Sequence, residues 1–129
     1  MSLAHIRGLA LLLWSADLKN PERVATPFVM AQAAVAMDQA VELYFTAQSV
    51  VLLTTPAKDQ LVGFGPDRRK MADFLQQLHD LDIPMYACSQ ALQAEGLTAS
   101  DLMPQCTGFG GAVQFMSRSI DPAWRTLVF

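Results

Sequence analysis

The sequence predicts an α/β domain of three layers, with helices on both faces of a mostly parallel central sheet of about five strands. Two observations support this fold class. Apolar runs of strand length alternate with segments of helical periodicity along the chain. The first run, residues 8–14, contains no charged residue, as is typical of a parallel strand buried on both faces. With 129 residues, the chain is long enough for one domain over residues 1–129 with one core.

The first half of the chain is predicted to contain a helix between two strands. Asn20 and Pro21 are typical of an N-cap followed by a first-turn proline. Pro27 removes a backbone hydrogen bond from any helix that contains it, so the helix either kinks there or begins its regular part at Thr26. The segments that follow are a second strand over residues 41–46 and a further apolar run over residues 49–53.

The second half of the chain is predicted to begin with a loop over residues 58–67, which contain Gly63 and Pro66. The basic residues 68–70 indicate a solvent-exposed helix start. Apolar side chains then recur at helical spacing from Met71 to Leu78. That helix ends near residues 79–80, and a strand over residues 83–87 follows it. A short helix over residues 89–95 is ended by Gly96. Residues 108–118 begin as a glycine-rich turn and continue as a helix, and residues 125–129 are the terminal strand.

The composition indicates that this protein buries surface between subunits. Charged residues make up 16% of the chain, whereas about 25% is typical of a globular domain. The mean hydropathy of +0.25 is also high for a chain of this size. A small monomer with this balance would expose much apolar surface, so we expect a homo-oligomer.

Charge, hydropathy and cysteine spacing argue against several functional classes. A net charge of −3 provides no basic surface for nucleic acid. No apolar run reaches the roughly 18 residues that a membrane-spanning helix needs. The two cysteines match neither a disulfide framework nor a zinc motif. We therefore expect a cytoplasmic protein with reduced thiols, no metal and no cofactor.

Cys88 is the candidate catalytic residue, because it follows the third predicted strand and precedes a predicted helix. The carboxyl edge of a parallel sheet is where functional loops meet, and a helix N-terminus favours a thiolate. The sequence leaves a second interpretation open, in which the thiol is an inert, buried small hydrophobe. Ser89, Tyr86 and Trp14 are the candidate binding residues around it.

Other chemically able residues are better explained as structural. Cys106 lies near a glycine-rich turn, and no spacing requires it to act with Cys88. Residues 108–111 favour a tight turn over an anion site, because a short glycine cluster is weak evidence for phosphate binding. His79 suits the C-terminus of a helix, and two isolated histidines, His5 and His79, do not form a metal site.

The chain resembles the DsrE/DsrF-like family, which includes the subunits of the Tus sulfur relay. The resemblance rests on the order of "LALLLWSADLKNPERVATPFVMAQAAVAMDQAVELYFTAQSVVLL", a helix, and "IPMYACSQALQAEGL". Its most specific parts are the alanine-rich helix before "VELYFT" and Cys88 at the end of a strand, with Gly96 and Leu97 following eight residues later.

The resemblance implies that Cys88 accepts sulfane sulfur as a persulfide and transfers it to a partner protein, in a homotrimer or homohexamer. This chain departs from several relay members in one respect, because residues 89–95 are neutral to acidic where those members carry a basic pair. Whether the protein is a sulfurtransferase enzyme or a carrier stays open. The alternatives are a non-catalytic small-ligand or regulatory module of the same fold, and a redox switch formed by Cys88 and Cys106.

Overall fold

The structure, a computed structural model, describes residues 5–129. Short 3-10 helices lie at Ala47–Leu53, Thr55–Ala57 and Ala99–Asp101. In chain order the other elements are β1 (Gly8–Leu13), α1 (Pro21–Ala36), β2 (Ala40–Phe45), β3 (Leu61–Val62), β4 (Arg69–Lys70), α2 (Met71–Asp80), β5 (Met85–Ala87), α3 (Ser89–Ala94), β6 (Gly108–Phe109), α4 (Ala112–Ile120) and β7 (Trp124–Val128).

The central sheet has five strands in the order β6-β5-β2-β1-β7, and each adjacent pair is parallel. At the centre of the sheet, Leu11 pairs with Leu43 on one side and with Leu127 on the other. β3 and β4 form a separate antiparallel pair. The predicted fold class, a mostly parallel sheet of about five strands with helices on both faces, is confirmed.

The strand order explains why the two faces are covered unequally. From β1 to β6 the chain moves in one direction across the sheet, and it then returns past all of these strands to place β7 beside β1. Right-handed crossovers put helices on opposite faces when the direction of travel reverses. Accordingly α1, α2 and α3 contribute to the large core on one face, whereas α4 packs on the other face through Phe115.

The large core lies between the sheet and the three helices on its face. Phe28 of α1 is fully buried, with its ring centroid 6.2 Å from that of Phe45 and 5.8 Å from that of Phe74. Ala25 and Ala31 beside it are also fully buried. Small side chains at these positions let α1 approach the sheet closely, which accounts for its alanine-rich sequence.

Helix α1 runs without interruption through Pro27, so the alternative in which its regular part begins at Thr26 is wrong. Asn20 takes the N-cap position, although its side chain makes no capping hydrogen bond within the part of the chain that the structure describes. Proline is tolerated here because only one carbonyl, that of Arg23, loses its helical partner, and Arg23 is exposed to water. The Thr26 hydroxyl donates to the Glu22 carbonyl at 3.0 Å.

Several local predictions differ from the structure. The exposed basic residues 68–70 directly precede α2, and Lys70 is its N-cap residue, but Arg69 and Lys70 also form β4 and pair with Val62 and Leu61. The apolar run after β2 is a 3-10 helix, and β5 begins only at Met85. Strand β6 was not predicted, since two residues are too few to show alternation. Across residues 5–129, no helix combines the length and the hydropathy that crossing a membrane requires.

Candidate functional site

Cys88 lies at the carboxyl end of β5, where the strand turns into α3. Its backbone N–H donates to the Phe45 carbonyl at 2.9 Å, and its carbonyl accepts the Leu92 N–H at 3.0 Å. Cys88 is therefore both the last pairing residue of the strand and the N-cap residue of the helix. Because side chains alternate along a strand, Ala87 points into the large core and Cys88 points to the α4 face.

A cavity of about 710 Å³ opens beside Cys88 on the α4 face. The ends of β1 and β2 supply its floor through Leu12, Tyr44 and Phe45, together with Thr46, which follows β2. Cys88 is half-buried in its wall. The cavity is thus located at the edge of the sheet where the parallel strands end, as expected for a functional site in this fold class.

The rest of the cavity wall comes from α4 and the residues that begin α3. Val113, Phe115 and Met116 of α4 contribute apolar side chains, and Ser89 and Gln90 contribute polar ones. Every lining residue lies within residues 5–129, and none of these residues has a charged side chain. The site therefore presents one nucleophile in a wall that is mostly apolar and entirely uncharged.

An ion pair and a phenol hold α4 on the sheet next to this cavity. The Arg118 guanidinium donates through Nε and Nη2 to the two carboxylate oxygens of Glu42, both at 2.9 Å. Tyr44 Oη also donates to Glu42 Oε1 at 2.9 Å, and Arg118 lies 3.9 Å from the centroid of the Trp124 ring. Bidentate pairs of this kind fix orientation as well as supplying energy. The network sets the position of α4, and with it one wall of the cavity.

Burial and the network extend the pH range over which Tyr44 stays protonated. Burial, followed by the hydrogen bond to Glu42, raises the pKa of Tyr44 to about 12. The hydrogen bond to Glu42 likewise raises the pKa of Arg118 above its ordinary value. Tyr44 therefore remains a neutral hydrogen-bond donor to the Glu42 carboxylate well above neutral pH.

The glycine-rich turn brings α4 close to β5. The Gly110 N–H donates to the Ala87 carbonyl at 3.1 Å. A Cβ added at Gly110 would lie 2.8 Å from Tyr86 Cβ, whereas one added at Gly111 would meet nothing within 4 Å. The turn thus passes over Tyr86 at a distance that excludes any side chain at position 110, which supports the tight-turn interpretation of this segment.

The structure brings together some of the candidate site residues and not others. Cys88 and Ser89 line the cavity. Tyr86 stacks on Tyr44, with ring centroids 5.2 Å apart, and lies behind the cavity wall. Trp14 follows the end of β1 with its side chain 54% exposed, outside the cavity.

Tyr44, Phe115 and Met116 are among the cavity residues that the sequence analysis missed. The signal that could have identified Tyr44 is Glu42, a carboxylate inside an otherwise apolar strand. A buried charge requires a partner, and Glu42 shares a face of β2 with Tyr44 because they are two residues apart. No comparable signal distinguishes Phe115 and Met116 from core residues.

Cys106 has a different environment from Cys88. Its Sγ lies 3.6 Å from the carbonyl oxygens of Met85 and Gly108, and burial raises the pKa of its thiol. In the pairing of β5 with β6, Tyr86 is opposite Gly108, which puts Cys106 level with Pro84. Pro84 and Cys88 are four positions apart, about 13 Å along a strand. Since a disulfide needs Cα atoms within about 7 Å, this register argues against a Cys88–Cys106 redox switch.

The histidines lie apart from the site. His79 is in the last turn of α2, and His5 is exposed near the start of the described chain. Among residues 5–129, no group of three or more His, Cys, Asp or Glu residues is arranged to hold a metal ion.

Comparison with known proteins identifies the family. A model of the DsrE/DsrF-like family matches residues 10–129. No curated protein matches the chain significantly. Among solved structures, the ychN protein from E. coli has a TM-score of 0.73 and 14% identity, with 95% of this chain and 99% of that chain covered. MTH1491, a protein of unknown function from Methanobacterium thermoautotrophicum, has a TM-score of 0.70 and 16% identity, with 93% and 96% covered.

These structural matches show the fold alone, because both identities are low. The family match is broader evidence, since it includes the first strand, the Cys88 segment and the terminal strand. The chain therefore belongs to the DsrE/DsrF-like family.

Proposed function

We propose that this protein is a cytoplasmic sulfur carrier that holds sulfane sulfur as a persulfide on Cys88. The observation that carries the proposal is the position of Cys88, half-buried in the wall of an open cavity at the carboxyl edge of the sheet. Its family is generally associated with sulfur relay. Cys106, with its thiol against two carbonyl oxygens and its pKa raised by burial, is the structural cysteine.

The proposed transfer is a pair of thiol exchange steps with no net oxidation. The Cys88 thiolate attacks the outer sulfur of a donor persulfide, R–S–SH, and the bond between the two donor sulfurs breaks. The donor leaves as a thiolate and takes up the proton of the transferred sulfur, so that Cys88–S–S⁻ and R–SH result. An acceptor thiolate then attacks the outer sulfur of the Cys88 persulfide and releases the Cys88 thiolate.

The surroundings of Cys88 suit such an intermediate. The first N–H groups of α4 have no partner within the helix and begin beside the cavity at Ala112. A helix N-terminus stabilises a nearby anion such as a persulfide. Thr46 and Ser89 add hydroxyl groups to the same wall. An acceptor protein is an expected partner, and the donor is either a protein or a small persulfide.

The test is sulfur loading measured by intact-protein mass spectrometry after exposure to inorganic polysulfide. We expect the wild type to gain the mass of sulfur on Cys88, Cys106→Ser to gain the same mass, and Cys88→Ser to gain none. Cys106→Ser is the matched control, because it removes the other cysteine. Loading on Cys106 alone, or no loading where a known relay thiol loads, would refute the proposal.

We also propose that the carrier is a homo-oligomer, a trimer or a hexamer. Strands about 4.8 Å apart make a five-stranded face roughly 20 Å wide, and one helix of about 10 Å covers half of it. Apolar side chains of α4 also remain exposed on this side of the molecule, including Val113 (88% exposed) and Ile120 (77% exposed). Light scattering at micromolar concentration should give a multiple of the chain mass, and a monomer mass would contradict the proposal.

A second candidate function is a non-catalytic small-ligand or regulatory module. The size of the cavity favours it, because about 710 Å³ is within the range of small-molecule sites. In this case Cys88→Ala would bind its ligand as well as the wild type does. Loss of function in Cys88→Ala with intact folding would argue for the carrier instead.

A further inference from the structure

The cavity beside Cys88 is far larger than sulfur transfer alone needs. A persulfide adds one sulfur atom to the thiol, whereas the cavity has a volume of about 710 Å³. Sites of roughly 300–1,000 Å³ bury most of the surface of a small organic molecule. The volume therefore leaves room for an occupant that is larger than the transferred atom.

The chemistry of the wall restricts what that occupant can be. Leu12, Phe115 and Met116 present apolar surface, and no lining residue within residues 5–129 is charged. The Glu42–Arg118 pair is nearby, but each of these side chains neutralises the other and neither lines the cavity. The N-terminus of α4 can stabilise one anion, and the persulfide at Cys88 takes that place. A charged group elsewhere in the cavity would lose its hydration without gaining a partner of opposite charge.

We propose that the cavity binds an uncharged, mainly apolar organic molecule, and that the sulfur donor for Cys88 is a persulfide of this class. The inference rests on the proposed function and names its substrate. The apolar body of the donor packs on Leu12, Phe115 and Met116, and its persulfide lies at Cys88. A donor with several charged groups on its body is disfavoured at this site.

The reaction with such a donor has the balance given above. Cys88–S⁻ attacks the outer sulfur of R–S–SH, where R is an uncharged alkyl or aryl group, and the donor S–S bond breaks. The electrons of that bond leave with R–S⁻, which takes the proton of the transferred sulfur. The products are Cys88–S–S⁻ and R–SH, so no oxidant or reductant is required.

The first experiment measures alkylation of Cys88 in the assembled Cys106→Ser protein by a series of uncharged N-alkylmaleimides. Rates are divided by those of a free cysteine derivative, which removes the intrinsic reactivity of each reagent. Each methylene group that is buried raises the binding constant by up to about fourfold. The relative alkylation rate of N-propylmaleimide, which has two more methylene groups, should therefore be about tenfold higher than that of N-methylmaleimide. If the two reagents react with Cys88 in the same ratio of rates as with the free thiol, the proposal is overturned. A second copy of the chain that fills the cavity would give this result too.

Two variants locate the effect. Met116 lines the cavity, and Met116→Glu puts a carboxylate in its apolar wall. Met30 of α1 is the same residue type with the same exposed fraction of 50% and lies outside the cavity, so Met30→Glu is the matched control. We expect Met116→Glu to abolish the chain-length preference and Met30→Glu to retain it. The same preference in both variants, or its loss in both, overturns the assignment to this cavity.

The second experiment tests the donor class directly, with a short-chain alkyl persulfide and with glutathione persulfide, which carries charged groups. The alkyl donor should load Cys88 about tenfold faster, and Met116→Gln, which adds a polar group without a charge, should slow the alkyl donor more than glutathione persulfide. If Cys88 loads from inorganic polysulfide but shows no preference for the alkyl donor, the inference fails and the proposed function stands. If Cys88 loads from no donor, the proposed function fails, and the assignment of a sulfur donor fails with it.

Discussion

The replacement of Arg118 by methionine tests whether the ion pair with Glu42 holds α4 in place. Arg118 donates two hydrogen bonds of 2.9 Å to a carboxylate that is otherwise bonded to Tyr44. Arg118→Met retains an apolar side chain that can lie against Trp124 but removes both hydrogen bonds. The Glu42 carboxylate is then left without its cation in a site where its side chain is only 10% exposed.

The expected size of the effect follows from the exposure of the two partners. Removing one partner of a fully buried ion pair costs about 3–5 kcal/mol, whereas exposed pairs contribute about 0.2–1 kcal/mol. The Arg118 side chain is 32% exposed, so water screens the pair and can partly replace the lost donor. We expect the free energy of unfolding to fall by about 2 kcal/mol in Arg118→Met and by about 1 kcal/mol in Glu42→Gln.

The assay is urea unfolding followed by circular dichroism at one protein concentration, since assembly would make stability depend on concentration. The double variant should lose about 1 kcal/mol less than the two single losses together, because the pair can be broken only once. Arg125→Met, at an exposed position of β7, is the control and should change stability by less than about 0.5 kcal/mol. A loss below about 0.5 kcal/mol in Arg118→Met, or additive single losses, would refute the reasoning.

The remaining predictions concern the turn before α4 and the buried phenol. Gly110→Ala should lower the free energy of unfolding by about 1–3 kcal/mol in thermal or urea unfolding, because its Cβ would clash with Tyr86. Gly111→Ala is the control and should be near neutral, since a Cβ there meets nothing within 4 Å. Equal effects of the two substitutions would contradict the close approach of the turn to Tyr86. Because burial raises the pKa of Tyr44 to about 12, its contribution is fully present below its ordinary pKa of about 10 and is lost as pH rises through 12. Unfolding measured from pH 9 to 12 should show an extra loss of up to about 3 kcal/mol that Tyr44→Phe lacks, and the same pH dependence in both proteins would contradict it.

Much of the fold could be predicted from local patterns. The uncharged run of β1 and the helical spacing of α2 each reflect burial along one element, which a sequence displays directly. Pro27 was harder to interpret, because the energetic cost of a proline within a helix depends on its surroundings. The cost is small where water can reach the carbonyl group that the proline leaves without a hydrogen-bond donor. Strands as short as β3, β4 and β6 could not be predicted, since their pairing decides them rather than their own residues.

The sequence by itself determined the fold class and the place of Cys88 at the end of a strand, because both follow from the periodicity of neighbouring residues. Only the tertiary structure decided what surrounds that thiol. The return of the chain from β6 to β7 puts α4 on the face that Cys88 shares with Tyr44, and it pairs Arg118 with Glu42 across 76 positions. Contacts between residues so far apart depend on the direction of the crossovers, which no local pattern records.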